Sequence, residues 1–512
     1  MQGAYPRSGG TSRRNRRPPR RLSSASKHPE HQLAVGRQQP ARQLRKLRAA
    51  RWLHRSPVMN LSRGVSDDRG ELTIRRCRLA LLAIVAAAFV VNLWRLGSPE
   101  LLVYDEAYYV KSARYYADPD RGGLVQPELS HPQLGAQVTA ASMSLLGDHP
   151  FAWRLPSALA GALSVLFVFV LARALRMRRA AALFAAALWG LDPARVAVSR
   201  LALLDSMLIA LILLATIAAI HAARRVANRR ANAWMWVCAA GFIGGAAAAI
   251  KWSGLVPLAV TAPALAVIAW RSRRTRRDGA TRIALYGSIA LVAGVAAYAV
   301  PYLPLLSDFS VSELVRLQNQ MWAFHTDYDV GHNQASPVWT WALQLVTMPL
   351  RVRATGDSLT VQALVGNPVV WMIVLPAALW QLVVGTARRS PARLVIAAGV
   401  LLHYLPWALS SRMMFFYYWL PAVPFGCLAI ARTIADLQEV WTRTLAYRAT
   451  AGLAAAAFVL LLPAATGTTM PRRLYTPIAE AWPLQIREHP PGRFRRLPLK
   501  THHVALRIKS RR

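Results

Sequence analysis

The chain has 512 residues, of which 54% are hydrophobic, and its mean hydropathy is +0.26. A water-soluble globular protein is excluded, because the apolar residues are gathered in blocks close to the roughly 20 residues needed to cross a bilayer. The formal net charge of +40 lies mainly in the tails and short loops, without a nucleic-acid-binding motif, so it orients membrane helices and does not indicate an RNA or DNA ligand.

The N-terminal segment, 1–78, is polar, rich in arginine and poor in large apolar residues. Such a segment cannot bury enough surface to offset the entropy lost on ordering, so we expect a disordered basic tail. A functional basic arm is one interpretation of it. An upstream start site is the other, because Met59 precedes a more ordinary short cytoplasmic lead-in.

The apolar blocks predict an all-α integral membrane protein with about eleven transmembrane helices. The predicted spans are 79–96, 155–174, 181–197, 202–221, 233–250, 253–270, 283–304, 367–385, 393–410, 414–431 and 449–467. They divide into an N-terminal transmembrane module, 79–304, and a C-terminal four-helix module, 367–467.

Every second connecting loop is rich in arginine, as in RSRRTRRDGATR at 271–282. The positive-inside rule therefore places the N-terminus in the cytoplasm and the C-terminus outside a cell membrane that the chain crosses many times. The basic C-terminal tail, 468–512, is the exception to the rule, and the sequence alone offers no physical account of it.

The first extracytoplasmic loop, 97–154, opens with two adjacent carboxylates, Asp105 and Glu106, bracketed by tyrosines in YDEAYYV. Neighbouring residues of a helix or turn point in different directions, so two adjacent acids can serve two different purposes. Acids are scarce in this chain, 23 against 63 basic residues, which favours a function for this pair. A solvated acidic pair beside an aromatic belt is the alternative.

Further candidates follow near the ends of spans. His131 begins a turn into a helix at HPQLG, and Arg154 lies at the mouth of the second span, where it either reaches the interface or holds a phosphate. Arg200 and Asp205 lie five residues apart at the edge of apolar stretches, which allows an ion pair. Lys251 is a lone cation at the outer end of a span, and it is a candidate phosphate ligand.

The second extracytoplasmic loop, 305–366, carries polar and aromatic side chains without a soluble inserted domain. Its candidates for binding an acceptor or shaping the loop are His332, Asn333 and Trp339, and tryptophans there also suit interfacial anchoring. No metal-ligand spacing is diagnostic among these residues or the three cysteines, so no metal site is predicted.

Together these segments resemble the protein O-mannosyltransferases in their shorter bacterial form, which belong to the C superfamily of glycosyltransferases. The matching segments, in order, are YDEAYYV, HPQLG, FAWRLPSALAG, SRLALLD, KWSGL, HNQASPVWTW and SRMMFFYYWLPAVPF. The resemblance covers roughly 75–435. The chain departs from the family pattern at Gln133, where a second proline is usual, and at Ala136, where a lysine is usual.

The resemblance implies an enzyme that transfers mannose, with inversion, from a polyprenyl-phosphate-mannose donor to Ser or Thr hydroxyls of secreted or membrane proteins. Its partners would be that donor, membrane lipid and acceptor proteins during translocation, with no cofactor. Asp105 would be the general base and Glu106 would position the acceptor backbone. Arg154, Lys251 and Arg200 would hold the donor phosphate, and two extracytoplasmic loops would form the active site.

Two alternatives stay open. One is a related lipid-phosphate-sugar transferase that acts on a lipid or polymer. The other is a secondary transporter, which eleven spans with intramembrane charges would suit. The lack of an internal repeat and the position of the acids outside the membrane midplane weigh against a transporter.

Overall fold

A computed structural model describes residues 73–117, 130–327, 334–410 and 413–480. The predicted disordered tail lies outside these residues except for its last six. Those six already belong to the first helix or its cap, because Thr73 caps a helix that begins at Ile74.

The described chain is mainly helical. In chain order the helices are α1 (Ile74–Leu93), α2 (Glu106–Ala117), α3 (Leu134–Leu146), α4 (Pro150–Ala174), α5 (Arg179–Gly190), α6 (Pro193–Ser199), α7 (Asp205–Ala227), α8 (Ala233–Ile250), α9 (Val256–Arg271), α10 (Arg276–Ala299), α11 (Val311–Asp327), α12 (Pro368–Ala387), α13 (Pro391–Leu401), α14 (Leu405–Ala408), α15 (Val423–Ala435), α16 (Val440–Thr466) and α17 (Arg472–Glu480). Tighter 3-10 turns occupy Trp252–Leu255, Val300–Ser307, Val338–Thr340 and Phe416–Ala422.

Within the described residues, nine helices are long and apolar enough to cross a membrane, or ten if the bent pair α5 and α6 counts as one span. The prediction of a multi-pass helical membrane protein is therefore confirmed. Two of the eleven predicted spans differ from continuous helices, and each has a local cause.

The first difference is a break in the span predicted at 181–197, where α5 and α6 meet at 61°. Asp192 caps the start of α6, and Pro193 follows at its first position. The Asp192 carboxylate also accepts hydrogen bonds from Asn367 N, at 3.1 Å, and from Trp371 Nε1, at 2.6 Å. Asp192 thus fixes the break against the start of α12.

The second difference is the span predicted at 393–410, where helix α13 has eleven residues and ends at Leu401. Eleven residues of α-helix rise roughly 16 Å, about half the hydrocarbon thickness of a bilayer. The chain turns at His403 and Tyr404 and restarts as the four-residue α14, with Pro406 in its first turn. Proline cannot donate a backbone hydrogen bond to a preceding turn, so the helix is interrupted there.

A three-stranded antiparallel sheet lies among the segments outside the spans, and the sequence did not predict it. Its strands are β1 (Met348–Thr355), β2 (Ser358–Leu364) and β3 (Thr469–Pro471), in the order β1-β2-β3. Strand β3 comes from the C-terminal tail, immediately after the last span. The part of the basic tail next to the membrane therefore belongs to the same layer as the loop at 305–366.

Contacts between loops show which of them share a side of the membrane domain. Tyr115 donates a hydrogen bond to Asp308, and His325 Nε2 lies 2.9 Å from the Ser130 carbonyl oxygen. At the opposite ends of the spans, arginine-rich loops contact each other, and Arg393 pairs with Asp436 at 2.6 Å. The alternation of loops inferred from the sequence agrees with this division into two layers.

Close glycine packing fixes helix α8, which ends just before Lys251. A Cβ atom on Gly245 would lie 2.1 Å from the carbonyl oxygen of Gly294 in α10, and one on Gly241 would lie 2.4 Å from the oxygen of Ala290. Small residues allow two membrane helices to approach this closely. The position of Lys251 is thus set by a tight backbone contact between two spans.

The orientation gives the first testable prediction. A reporter enzyme fused after residue 228 should be active on the cytoplasmic side, and one fused near residue 335 on the external side, because arginine-rich loops are retained in the cytoplasm. Paired phosphatase and fluorescent-protein fusions measure this. The reverse result at either position would contradict the proposed orientation.

Candidate active site

The loop that follows α1 brings two adjacent acids to the start of α2 with different surroundings. Glu106 is fully buried, whereas Asp105 is partly exposed. The preceding residue, Tyr104, has a left-handed backbone with φ of +57°, which is uncommon for a bulky side chain and turns the chain sharply into the helix. The two carboxylates therefore face different environments, as the sequence predicted.

Glu106 forms a buried ion pair with Arg154 of α4. Arg154 Nε and Nη2 donate to the two carboxylate oxygens at 2.8 and 2.9 Å. The same carboxylate accepts the backbone N–H groups of Val103 and Ala202, each at 2.8 Å. Glu106 thus ties together the first external loop, the second span and the turn before α7.

Arg154 uses its remaining donors on the backbone of the first loop. Its Nη1 donates to the carbonyl oxygens of Leu96 and Pro99, and its Nη2 to that of Leu101, at 2.9 to 3.1 Å. With the two bonds to Glu106, all five guanidinium N–H groups bind protein atoms. The structure therefore leaves Arg154 no donor for the substrate phosphate that the sequence assigned to it. Glu106 is likewise engaged with the protein and not directed at an acceptor.

Asp105 lies in a cluster of tyrosines. Burial, followed by the negative charge of Asp105, raises the pKa of the Tyr104 phenol well above its usual range. Tyr104 is also hydrogen-bonded to Tyr417, from the turn that precedes α15. Asp105 is close enough to Tyr417 to interact with it electrostatically. Tyr104 and Tyr417 therefore bring the N-terminal and C-terminal modules together next to Asp105.

Lys251 reaches the same cluster from the end of α8. Its Nζ lies 3.0 Å from both carboxylate oxygens of Asp205 and 5.6 Å from the centre of the Tyr417 ring. Both side chains of the pair are largely buried, with 11% and 7% exposed. An ammonium group has three donors, and among the described residues the Asp205 carboxylate accepts from it through two oxygens, so Asp205 does not use every donor of Lys251.

Arg200 does not pair with Asp205, which corrects the ion pair suggested by their spacing. Its Nη1 donates to the carbonyl oxygens of Val91, Asn92 and Trp94, at 2.7 to 3.1 Å, where α1 ends. The side chain points toward α1 because the turn after α6 separates it from the start of α7. Arg200 therefore lies apart from Lys251.

Histidine and aromatic rings extend the cluster toward the loop at 305–366. His131 lies 5.1 Å from His325 and 6.0 Å from Tyr109, measured between ring centres. His325 is 5.6 Å from Trp252, which begins the turn after Lys251. Gln133, at a position where the family pattern has proline, joins this region by accepting a hydrogen bond from Tyr116 and donating one to the His131 carbonyl.

The structure does not place the candidates predicted in the loop at 305–366 in the cluster described above. Trp339 is 68% exposed at a 3-10 turn, whereas Trp341 beside it is buried. His332 and Asn333 lie outside the described residues. Among the residues that the structure describes, no group of three or more His, Cys, Asp or Glu side chains is arranged to hold a metal ion.

Sequence reasoning missed Tyr417 as a site residue. The signal was the aromatic run FFYYW at the start of the predicted tenth span, which is equally typical of an interfacial aromatic belt. The position of Tyr417 against Asp105 and Lys251 depends on how two distant modules pack, and this is not encoded in the spacing of one segment.

Comparisons with known proteins point to one family. The sequence profile described as dolichyl-phosphate-mannose-protein mannosyltransferase matches residues 82–312. A second profile, for the C-terminal four-transmembrane region of protein-O-mannosyltransferase, matches residues 310–479. The two matches are consecutive and together include every described span except the first residues of α1.

Individual relatives agree with the profiles. A polyprenol-phosphate-mannose–protein mannosyltransferase of Mycolicibacterium smegmatis is 27% identical over 427 residues, which cover 70% of this chain and 82% of that protein. The protein of the same name from Corynebacterium glutamicum is 24% identical over 408 residues, covering 67% and 78%. Both matches extend across most of each protein.

Among solved structures, the fold resembles the protein O-mannosyltransferase Pmt1-Pmt2 complex of S. cerevisiae, which was determined bound to the sugar donor. The TM-score is 0.67 at 15% sequence identity, and the match covers 80% of this chain and 93% of that one. At this identity the likeness concerns the fold, which is the multi-pass architecture predicted from the sequence.

Proposed function

This chain belongs to the dolichyl-phosphate-mannose–protein mannosyltransferase family, and we propose that it transfers mannose from a polyprenyl-phosphate-mannose donor to Ser or Thr hydroxyls of proteins outside the cytoplasm. It is a glycosyltransferase embedded in a membrane. The observation that supports the site assignment is the position of Lys251, whose Nζ lies 3.0 Å from the Asp205 carboxylate and 5.6 Å from the centre of the Tyr417 ring, in the tyrosine cluster that borders Asp105.

In the proposed reaction, Asp105 is the general base. It takes the proton of the acceptor hydroxyl while the hydroxyl oxygen bonds to the anomeric carbon of mannose. The bond from that carbon to the phosphate oxygen breaks, and the electron pair leaves with the polyprenyl phosphate. Attack from the face opposite the leaving group inverts the anomeric carbon.

In the same proposal, Lys251 stabilises the leaving phosphate. Negative charge accumulates on the phosphate as the bond breaks, and a cation held in a site of low polarity stabilises such charge strongly. Asp205 fixes the ammonium group through both of its oxygens. Glu106 and Arg154 touch no reacting atom in this scheme and instead position the loop from which Asp105 projects.

The activity can be tested with purified full-length protein in detergent. Labelled polyprenyl-phosphate mannose and a peptide that contains Ser and Thr should yield labelled peptide and free polyprenyl phosphate. The same peptide with every Ser and Thr replaced by Ala should yield neither. Transfer to a lipid or polymer, with no transfer to the peptide, would contradict the proposed acceptor.

Lys251→Ala should raise the donor KM by about tenfold or more, because a hydrogen bond to a charged group is removed. The peptide KM should change much less. Steady-state kinetics with each substrate varied in turn measure the difference between the two constants.

Asp205→Asn is the matched control for the loss of the buried pair. It removes the partner of Lys251 but leaves the cation in place, so the donor KM should rise less than in Lys251→Ala. A well-folded Lys251→Ala protein with an unchanged donor KM would show that Lys251 serves the structure alone.

A further inference from the structure

A polar cavity lies outside the cluster around Asp105. It has a volume of about 560 Å³, and among the residues lining it are four arginines and seven serines or threonines. None of the described residues that line it is Asp or Glu. The four arginines are Arg95, Arg200, Arg351 and Arg353. The cavity therefore concentrates positive charge without an internal counterion.

The three-stranded sheet forms one wall of this cavity, and its sequence explains why. Side chains alternate between the two faces of a strand. In β1, Arg351 and Arg353 alternate with Val352, and in the register of the sheet Arg353 pairs with Thr360. Thr360 in turn pairs with Thr469 of β3, and their hydroxyl oxygens are 2.8 Å apart. One face of the sheet is thus polar from edge to edge.

The opposite face of the sheet is apolar and is covered by the protein. Leu359, Val361 and Ala363 of β2 are buried against Leu461 of α16 and Tyr475 of α17. This packing determines which face of the sheet remains open to the cavity. The arginines are consequently directed to the open side by the hydrophobic pattern of the strands.

Arg200 forms the floor of the cavity and is already held in place. Its side chain is bonded to the carbonyl oxygens at the end of α1, and only 4% of the residue is exposed. Burial and the nearby guanidiniums of Arg154 and Arg95 lower its pKa to about 10, so it remains charged at neutral pH. A buried arginine surrounded by other cations is stabilised when an anion binds beside it.

The cavity lies at the level where spans meet the external layer. Trp94 follows the last residue of α1, and Thr466 is the last residue of α16, and both contribute to the lining. Gly467, with φ of +67°, turns the chain from α16 into β3 along the same wall. Lipid phosphates occupy this level of a bilayer, and an exposed tryptophan such as Trp94 is typical of it.

We propose that this cavity binds the phosphate of an anionic membrane phospholipid, with Arg95, Arg200, Arg351 and Arg353 as its ligands. Paired guanidinium donors match phosphate oxygens, and the hydroxyl groups of the sheet supply further donors. The site is separate from the proposed reaction centre, because Asp105, Tyr417 and Lys251 do not line it. The loop that Arg154 holds contributes Ser98 and Pro99 to the wall, so the lipid would rest against the loop that leads to Asp105.

Native mass spectrometry of the delipidated full-length protein tests the proposal without any transfer reaction. Phosphatidylglycerol should bind at one saturable site with higher affinity than phosphatidylcholine. The double variant Arg351→Gln, Arg353→Gln should weaken phosphatidylglycerol binding by about tenfold or more, as expected when charge-assisted hydrogen bonds are lost. Arg316→Gln is the matched control, since Arg316 lies on α11 with 67% of its side chain exposed, and it should bind as the wild type does.

Binding of three further ligands tests whether the cavity holds something other than a phospholipid. Inorganic phosphate that displaces the lipid at equal concentration would indicate a free-anion site, and an acidic peptide that binds where phosphatidylglycerol does not would indicate a peptide groove. Binding restricted to undecaprenyl phosphate would make the cavity part of the donor site. Each of these results, or equal phosphatidylglycerol binding by the wild type and the double variant, would overturn the proposal.

Discussion

Asp105→Asn should lower turnover by about 10²–10⁴-fold, the usual contribution of a general base, while the donor still binds. A serine or threonine hydroxyl has a pKa far above neutrality, so it attacks poorly unless a base accepts its proton as the new bond forms. Asparagine keeps the size and polarity of aspartate but cannot accept that proton. Turnover of labelled donor under saturating peptide measures the loss, and equilibrium binding of the donor checks that binding persists.

Glu100→Gln is the matched control, because Glu100 is an exposed acid in the same loop. It should turn over at the wild-type rate. Near wild-type turnover by Asp105→Asn would place the base elsewhere, and Asp205, which pairs with Lys251, would be the next candidate. The mechanism would then be wrong, although the family would not change.

Arg154→Met should destabilise the folded protein by roughly 3–5 kcal/mol, because it leaves the Glu106 carboxylate buried without its partner. Both side chains of this pair are 0% exposed. Arg154→Lys should also lose stability and activity, since a lysine cannot supply five donors in a planar fork. Thermal unfolding in detergent, followed by fluorescence-detected size exclusion, measures the change.

An exposed ion pair serves as the comparison, because it shows how much of the stability loss comes from the burial of the charges. Arg114 and Asp148 are bonded at 2.8 Å in the same external layer, but 37% of each side chain is exposed. Arg114→Met should therefore cost no more than about 1 kcal/mol. If both substitutions shift the unfolding temperature equally, the buried pair has no special structural role.

The double variant Glu106→Gln, Arg154→Met completes a thermodynamic cycle. Removing both charges should recover part of the stability, because no uncompensated carboxylate remains. If Glu106 positioned the acceptor backbone, as the family resemblance implies, Glu106→Gln would chiefly raise the peptide KM. The four hydrogen bonds that Glu106 accepts in the structure make loss of stability the expected result instead.

The sequence predicted the membrane architecture well, because span length and arginine-rich loops are local features. The break at Asp192 and the short α13 were missed, since a run of apolar residues continues across both. The sheet was missed for another reason. Strand β3 has three residues, and it pairs with β2 across 109 residues of sequence separation at Thr360 and Thr469.

The candidate site was predicted in part. Asp105 and Lys251 were identifiable because isolated charges at span ends are rare and costly. Their partners were not identifiable, because they depend on the rotation and neighbours of each helix. The spacing therefore suggested that Asp205 pairs with Arg200, five residues away, whereas its partner in the structure is Lys251, 46 residues away.

Because β3 comes from the C-terminal tail, the sheet cannot be completed until late in synthesis. A ribosome synthesises β1 and β2 before the last four predicted spans, but β3 only after α16 has been made. Until then the edge of β2 lacks its partner strand, and Leu359 and Val361 lack the cover of α17. The sheet therefore reaches its final form only after the last span has been synthesised, so a complete sheet requires that all the described spans have been made.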